Sequence, residues 1–238
     1  MSATVVAVLS VTVFLAALVQ GVSGIGFALI VAPVAGLLAP ELLPTTLLVL
    51  MLPLNAFVAV REWRSIDIHG LTWISLARIV FTAVGLLLVA TLSPAGLALL
   101  VAGVTIGAAL VSLFAPPFSP SRLGFLVAGA VTGVSETATG VGGPPMALVY
   151  QHARPPVIRS TVASCFLVGE VVSLVALVVS GAAPEGWLGN SAVLLPAVIL
   201  GTACSTLVVR RFPRLELRMA VIVFSIISGA VLLVQTLL

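Results

Sequence analysis

Of the 238 residues, 61% are hydrophobic and 7% charged, and the mean hydropathy is +1.34, whereas soluble domains carry roughly 25% charged residues. Such a chain cannot cover its surface for water, which excludes a soluble domain. The net charge of +3 comes from ten arginines and no lysine against seven acids, and the arginines are spread through short connections, which excludes a nucleic-acid-binding face. The remaining solvent is lipid, where every backbone polar group must be paired internally, so that only helices or a closed barrel can span. Near-continuous apolar runs such as 161–180 and 219–238 differ from the alternating segments of a barrel and predict an all-α integral membrane protein.

In chain order, residues 1–20 lack a basic leader segment and a small-residue cleavage site, and read as structure rather than as a signal peptide. Region 5–38 is apolar but broken at Gly21-Val22-Ser23-Gly24-Ile25-Gly26. It is too long for one crossing and too short for two, so it predicts a pair of short helices meeting at a glycine-rich tip, 21–26. Three spans follow at 42–60, 71–92 and 96–114. Region 123–150 is broken again, at Ser135-Glu136-Thr137-Ala138-Thr139-Gly140-Val141-Gly142-Gly143-Pro144-Pro145, which predicts a second tip, 135–145, and a new short helix starting near Met146. Three more spans fall at 161–180, 191–209 and 219–238. Gly103-Val104-Thr105-Ile106-Gly107 and Gly129-Ala130-Val131-Thr132-Gly133 read as close-packing helix faces.

A shift of 116 positions places Ser23 on Thr139, Gly24 on Gly140, Gly26 on Gly142, Pro40 on Pro156, Thr45 on Thr161 and Gly85 on Gly201. Together with the shared order of hairpin then three spans, this argues for two structural repeats, 1–115 and 120–238, in a single membrane domain. If Arg61 and Arg64 are cytoplasmic and both broken regions are hairpins, then Arg122, Arg154, Arg159, Arg210, Arg211, Arg214 and Arg218 are cytoplasmic too, while Glu41 and Glu185 lie outside. This arrangement satisfies the positive-inside rule. Each repeat then makes an odd number of net crossings. The repeats are therefore inverted, with both termini outside the cell (inner) membrane. Trp63, Trp73 and Trp187 fall near the expected interfaces, as do His69 and His152.

Paired broken helices in inverted repeats are a transporter plan with the substrate near the midplane. Each tip opens a helix, near Phe27 and near Met146, and a helix N-terminus offers free N–H groups and partial positive charge to an anion. Gly24, Gly26, Gly140, Gly142 and Gly143 allow close approach, and the hydroxyls of Ser23, Ser135, Thr137 and Thr139 can add donors, although such hydroxyls commonly cap their own helices. Arg78 alone is not explained by orientation. It lies inside 71–92, where a charge costs about 2.5–3.5 kcal/mol on the mild insertion scale, and it adds charge to the anion path, pairs with a buried acid or snorkels to an interface. Glu136 and Glu170 are the candidate partners, and both are candidates for carrying a coupling proton, with Glu136 favoured because it sits in a tip. Residue 170 matches Leu54 in the other half, beside Asn55, so the symmetry breaks where polarity appears.

The tip residues Gly21 to Gly26 and Thr139-Gly140-Val141-Gly142-Gly143-Pro144-Pro145, with Arg159-Ser160-Thr161 after Pro155-Pro156, give the chain its family resemblance. It resembles the sulfite exporter TauE/SafE family of small-anion membrane transporters over nearly its whole length. Phe27 and Ala28 follow Gly26 where that family usually has further glycine. The resemblance implies movement of a small, often sulfur-containing, anion. The partners expected are therefore a small anionic substrate and the lipid bilayer, with a homodimer left open, no nucleic acid, no cofactor and no metal. An enzyme is not expected. The Val22–Gly26 turn faintly echoes a dinucleotide motif but lacks its water-facing sheet, and Cys165 and Cys204 give no metal spacing. An anion channel of the same fold and, less favoured, a membrane enzyme or sulfur relay are the alternatives.

Overall fold

The computed structural model describes residues 1–114, 121–150, 153–212 and 218–238; His152 and Arg214 lie outside them. Among the described residues there are ten α-helices, two short 3-10 turns and no strand. The helices are α1 (Ala3–Ser23), α2 (Phe27–Leu38), α3 (Thr45–Arg61), α4 (Ile68–Thr91), α5 (Pro94–Phe114), α6 (Arg122–Thr139), α7 (Gly143–Val149), α8 (Pro155–Val179), α9 (Trp187–Arg211) and α10 (Arg218–Leu237). Six are long and apolar enough to cross a membrane: α1, α4, α5, α8, α9 and, from Met219, α10. The protein is a multi-pass membrane protein.

Four elements depart from the sequence reading. α1 is not a short half-helix: its 21 residues give about 32 Å at 1.5 Å per residue. It runs through Gly21 and Val22 without a break and ends only where Gly24 turns left-handed, at φ 89°. Conversely, the first expected span is shortened. Pro40–Leu42 forms a separate 3-10 turn and Pro44 precedes the helix, so α3 keeps 17 residues, with Pro53 inside it. α7 starts at Gly143 rather than near Met146, and Ser135 to Thr139 are the last turn of α6.

Local sequence explains the helix ends. Ser2 and Ser121 cap α1 and α6 by accepting from the Val5 and Gly124 amides at 3.3 and 3.1 Å. Gly24 and Gly140 end the same helices in the left-handed region, and their amides donate at 2.7 Å to the carbonyls of Gln20 and Glu136. Only glycine holds that backbone without strain.

Around this frame α1 packs on α9 and α6 on α4; α3 packs on α8, α5 on α10, α2 on α10 and α7 on α5. The α4–α6 contact is close because glycine faces backbone. A Cβ on Gly129 would collide with the Ile74 carbonyl, and one on Gly133 would stand 2.6 Å from the Arg78 carbonyl. Gly103 and Gly107 are different: a Cβ on either meets nothing within 4 Å, so this glycine pair of α5 is not a packing face in the described structure. Large apolar side chains such as Val80 on α4, Leu200 on α9 and Ile227 on α10 are exposed, as a surface solvated by lipid requires.

These two glycine pairs therefore respond oppositely to bulk. Gly129→Val forces α4 from α6 and costs about 1–3 kcal/mol, as overpacking does, whereas Gly107→Ala is close to neutral. Thermal unfolding in nanodiscs measures both; equal effects contradict the packing described.

Candidate functional site

The two tips meet. Gly143, the first residue of α7, faces Ile25 of the first tip, with Ile25 Cβ 3.6 Å and Phe166 Cζ 3.8 Å from where a Cβ would stand. Each tip also reaches the first turn of a long helix elsewhere in the chain. Gly24 lies against Arg159 of α8 and Gly140 against Leu47 of α3. The hydroxyls at the tips are spent on the turns themselves. Ser23 Oγ, with one proton to donate, stands 2.8 Å from the Val19 carbonyl and 2.5 Å from the Ile25 carbonyl, and accepts from the Ile25 amide at 3.3 Å. Thr139 Oγ1 likewise donates to the Ser135 carbonyl at 2.7 Å and accepts from the Val141 amide at 3.1 Å. Thr137 bonds Ser173 of α8 at 2.7 Å. The side chain of Ser135 borders a separate cavity between α5, α6 and α7.

The charge at the junction belongs to Arg78. It is fully buried, pairs with the fully buried Glu136, and donates from Nη1 to the Cys165 carbonyl at 2.8 Å. Its guanidinium carbon stands 5.4 Å from the centre of the Phe166 ring, within cation–π range. Room for it exists because residue 169 is glycine: a Cβ there would fall on the guanidinium. Residue 142 is glycine for the matching reason, since a Cβ would stand 2.5 Å from Glu136 Oε2. The Gly142 carbonyl is held at 3.0 Å by Thr132 Oγ1. Among the described residues Arg78 Nε and Glu136 Oε1 have no hydrogen-bond partner.

Glu170 does not pair with Arg78. It ends a chain of buried amides: the Phe27 amide donates to Gln20 Oε1 (2.9 Å), Gln20 Nε2 to Asn55 Oδ1 (2.8 Å), and Asn55 Nδ2 to Glu170 Oε1 (2.6 Å). Glu170 Oε2 has no partner. The N-terminal amide of α2, expected to face an anion, is thus occupied by Gln20. Sequence reasoning passed over Gln20, Phe166 and Gly169. For Gln20 a signal existed, because residue 20 falls on Glu136 under the 116-residue shift.

A second polar cluster ties helix ends together. Arg159 binds Glu62 through Nε and Nη2 at 2.7–3.0 Å. Arg61 Nη2 donates to the Gly21 carbonyl at 2.8 Å. Tyr150 donates to Asp67 Oδ2 at 2.9 Å, and burial, reinforced by that hydrogen bond, pushes its phenol well above the ordinary value, which keeps it a neutral donor. His69 packs edge-on against Trp73 and Phe125.

The cavity between α5, α6 and α7 is large, about 680 Å³, but Val104, Val127, Val131 and Leu148 are typical of its walls. It offers an anion no countercharge. No group of three or more His, Cys, Asp or Glu side chains suited to a metal ion occurs among the described residues.

Membrane-spanning helices around two broken elements, with an ion pair buried where those elements meet, define a class: polytopic membrane proteins that hold ionised groups at depth, as membrane transporters do. Within that class the chain belongs to the sulfite exporter TauE/SafE family, whose sequence model matches residues 9–232. Comparisons with curated proteins and with solved structures returned no match.

Removing one member of a buried pair strands the other, at a cost of about 3–5 kcal/mol, while replacing both by apolar residues is often neutral. Arg78→Met is therefore expected to destabilise the protein strongly, and Arg78→Met with Glu136→Leu to recover most of the loss. Denaturant or thermal unfolding of the three proteins in one detergent checks this. A double variant no more stable than the single one contradicts the pairing.

Proposed function

We propose that the protein is a secondary transporter of a small oxyanion, sulfite-like or a small organic acid, which binds Arg78 where the two tips meet and crosses by alternating access. One observation carries the reading: a fully buried guanidinium at the tip junction, with an unpartnered Nε and a single acidic partner. In a low-dielectric site such a group attracts an anion far more strongly than it would in water. A ligand of this kind also suits the membership of a sulfite exporter family. Gly24, Gly26 and Gly140 serve by turning the chain at the tips, Gly142 by leaving room for Glu136, and Gly143 by meeting Ile25 of the first tip. Ser23, Thr137 and Thr139 hold the turns in shape, and Ser135 lies on the cavity side.

The alternating-access reading rests on two inverted repeats, 1–115 and 120–238, with both termini outside the cell membrane. The pairing of helices supports it. Under the 116-residue shift α1 on α9 becomes α6 on α4, α2 on α10 becomes α7 on α5, and α4 on α8 becomes α9 on α3. A two-fold related bundle has contacts of this kind. In a Cys204→Ala background, which leaves only the buried Cys165, cysteines introduced at Glu41 and Arg154 are expected to label from opposite sides of the membrane. Labelling from one side overturns the inverted arrangement.

Uptake of radiolabelled sulfite, thiosulfate and small carboxylates into proteoliposomes tests the transport itself. Saturable flux of at least one anion is expected, without unitary currents. The flux should be lost in the stable Arg78→Met, Glu136→Leu protein and kept when Cys165 and Cys204 are both alanine. Absence of flux from folded wild-type protein overturns the proposal.

A further inference from the structure

We infer that the anion crosses together with one proton carried on Glu136, while Glu170 keeps a resident proton that is not exchanged. The inference rests on the transport reading above and adds its coupling ion.

Charge counting at the junction starts the argument. Arg78, Glu136 and Glu170 are all fully buried, and the charges of Arg78 and Glu136 both act on Glu170. One cation and two carboxylates would leave a net negative charge in a site closed to water, which is strongly unfavourable. One carboxyl therefore holds a proton at rest. Geometry identifies it. Glu136 is on Arg78, whereas among the described residues the only partner of Glu170 is the neutral amide of Asn55.

The direction of the amide chain is also set. The Phe27 N–H can only donate, so Gln20 Oε1 accepts. Gln20 Nε2 must then donate to Asn55, and Asn55 Nδ2 to Glu170 Oε1. Glu170 Oε1 is an acceptor throughout, which leaves the proton on Oε2, the atom without a partner.

At rest the site is neutral: Arg78 positive, Glu136 negative, Glu170 protonated. An arriving anion that takes the guanidinium from Glu136 restores the excess negative charge. Among the described residues no second cation faces Glu136. The titratable groups that do are Arg78 from α4 and Glu170 and Cys165 from α8. α5 and α7 contain no titratable residue, α1 and α2 contribute only Gln20, and α3 contributes Asn55. Arg61 at the end of α3 and Arg159 of α8 are at the first tip, engaged by the Gly21 carbonyl and by Glu62, while His69 is at the start of α4 and Arg122 at the far end of α6. For a singly charged anion, neutrality returns when Glu136, whose Oε1 is unpartnered, takes one proton from the side that supplied the anion. On the other side the anion leaves Arg78, Glu136 gives up that proton, and the ion pair reforms. One proton moves per anion, and no bond other than O–H is made or broken.

The other half of the chain supports the assignment. The residue matching Glu136 is Gln20, a neutral isostere of a protonated glutamate, so only one tip can carry an exchangeable proton. It also shows that an amide is accommodated at this position of the hairpin.

The test uses proteoliposomes with the membrane potential clamped and an inward proton gradient imposed, and labelled sulfite and methanesulfonate as probes. Methanesulfonate is singly charged and takes up no proton of its own near neutrality, so it decides if both are moved; if only sulfite is moved, the difference from E136Q decides. The wild type is expected to accumulate anion about tenfold per pH unit, the ratio for one proton per anion. Glu136→Gln should retain anion counterflow but lose the gradient-driven accumulation. Glu170→Gln should keep the wild-type proton-to-anion ratio. Counterflow without accumulation in the wild type, or wild-type accumulation in E136Q, overturns the coupling and leaves the transport reading standing. Loss of accumulation in a folded E170Q protein overturns it equally, and this variant decides if E136Q does not fold. Absence of counterflow from folded wild-type protein overturns the transport reading and the coupling together.

Discussion

A guanidinium and a carboxylate, paired with no access to water inside an apolar bundle, constrain everything around them. Arg78 needs volume, a countercharge and acceptors at a depth where none come from solvent. The countercharge is Glu136 and an acceptor is the Cys165 carbonyl. The volume comes from residue 169 being glycine, and the aromatic face from Phe166. The backbone of Arg78 is constrained as well, because Gly133 of α6 rests against it. The pair thereby ties α4, α6 and α8 and, through Gly142, the second tip into one arrangement. A shift of the second tip changes the charge environment of Arg78, which is the physical link a transport cycle at this place requires.

The first tip is built on the same backbone plan and a different chemistry. Both helices that lead into a tip end at a left-handed glycine whose amide returns to the carbonyl four residues back. At that carbonyl's residue one half has glutamine and the other glutamate. Glutamine donates and accepts at once, so it can relay a backbone amide to Asn55 and on to Glu170 without any charge. Glutamate cannot act as such a relay while ionised, and turns to a cation instead. The asymmetry of one side chain therefore produces a neutral hydrogen-bonded tip and an ion-paired one. The Arg61, Glu62 and Arg159 cluster adds fixed points at the first tip, since Arg61 holds the Gly21 carbonyl and Arg159 backs Gly24.

Size alone would place a ligand elsewhere. The cavity between α5, α6 and α7 has a volume of about 680 Å³, and Gly107 of α5 is in its wall with nothing packed against it. Its walls are apolar, however, and an anion moved there from water would lose its hydration with nothing in return. The junction carries the charge.

Much was legible in the sequence because it depends on local or compositional causes. The scarcity of charge demands lipid as solvent. Glycine and proline runs break helices at 24–26 and 140–142 whatever surrounds them, and a lone arginine in an apolar span has to be buried and partnered. These facts yielded the helical membrane class, the two tips, the start of α2 at Phe27 and the two acids that compete for Arg78. Helix lengths were less legible, since Gly21 is tolerated inside α1 once α9 packs along it. Pairing was decided by tertiary structure alone. Gln20 bonds a residue 35 positions away, and Asn55 one 115 positions away. Whether Glu136 or Glu170 meets Arg78 depends on how α4, α6 and α8 are rotated against one another, and that rotation is set by glycines contacting backbone between elements distant in the chain. A sequence states which polar groups must find partners; the packing of distant helices settles which partner each one gets.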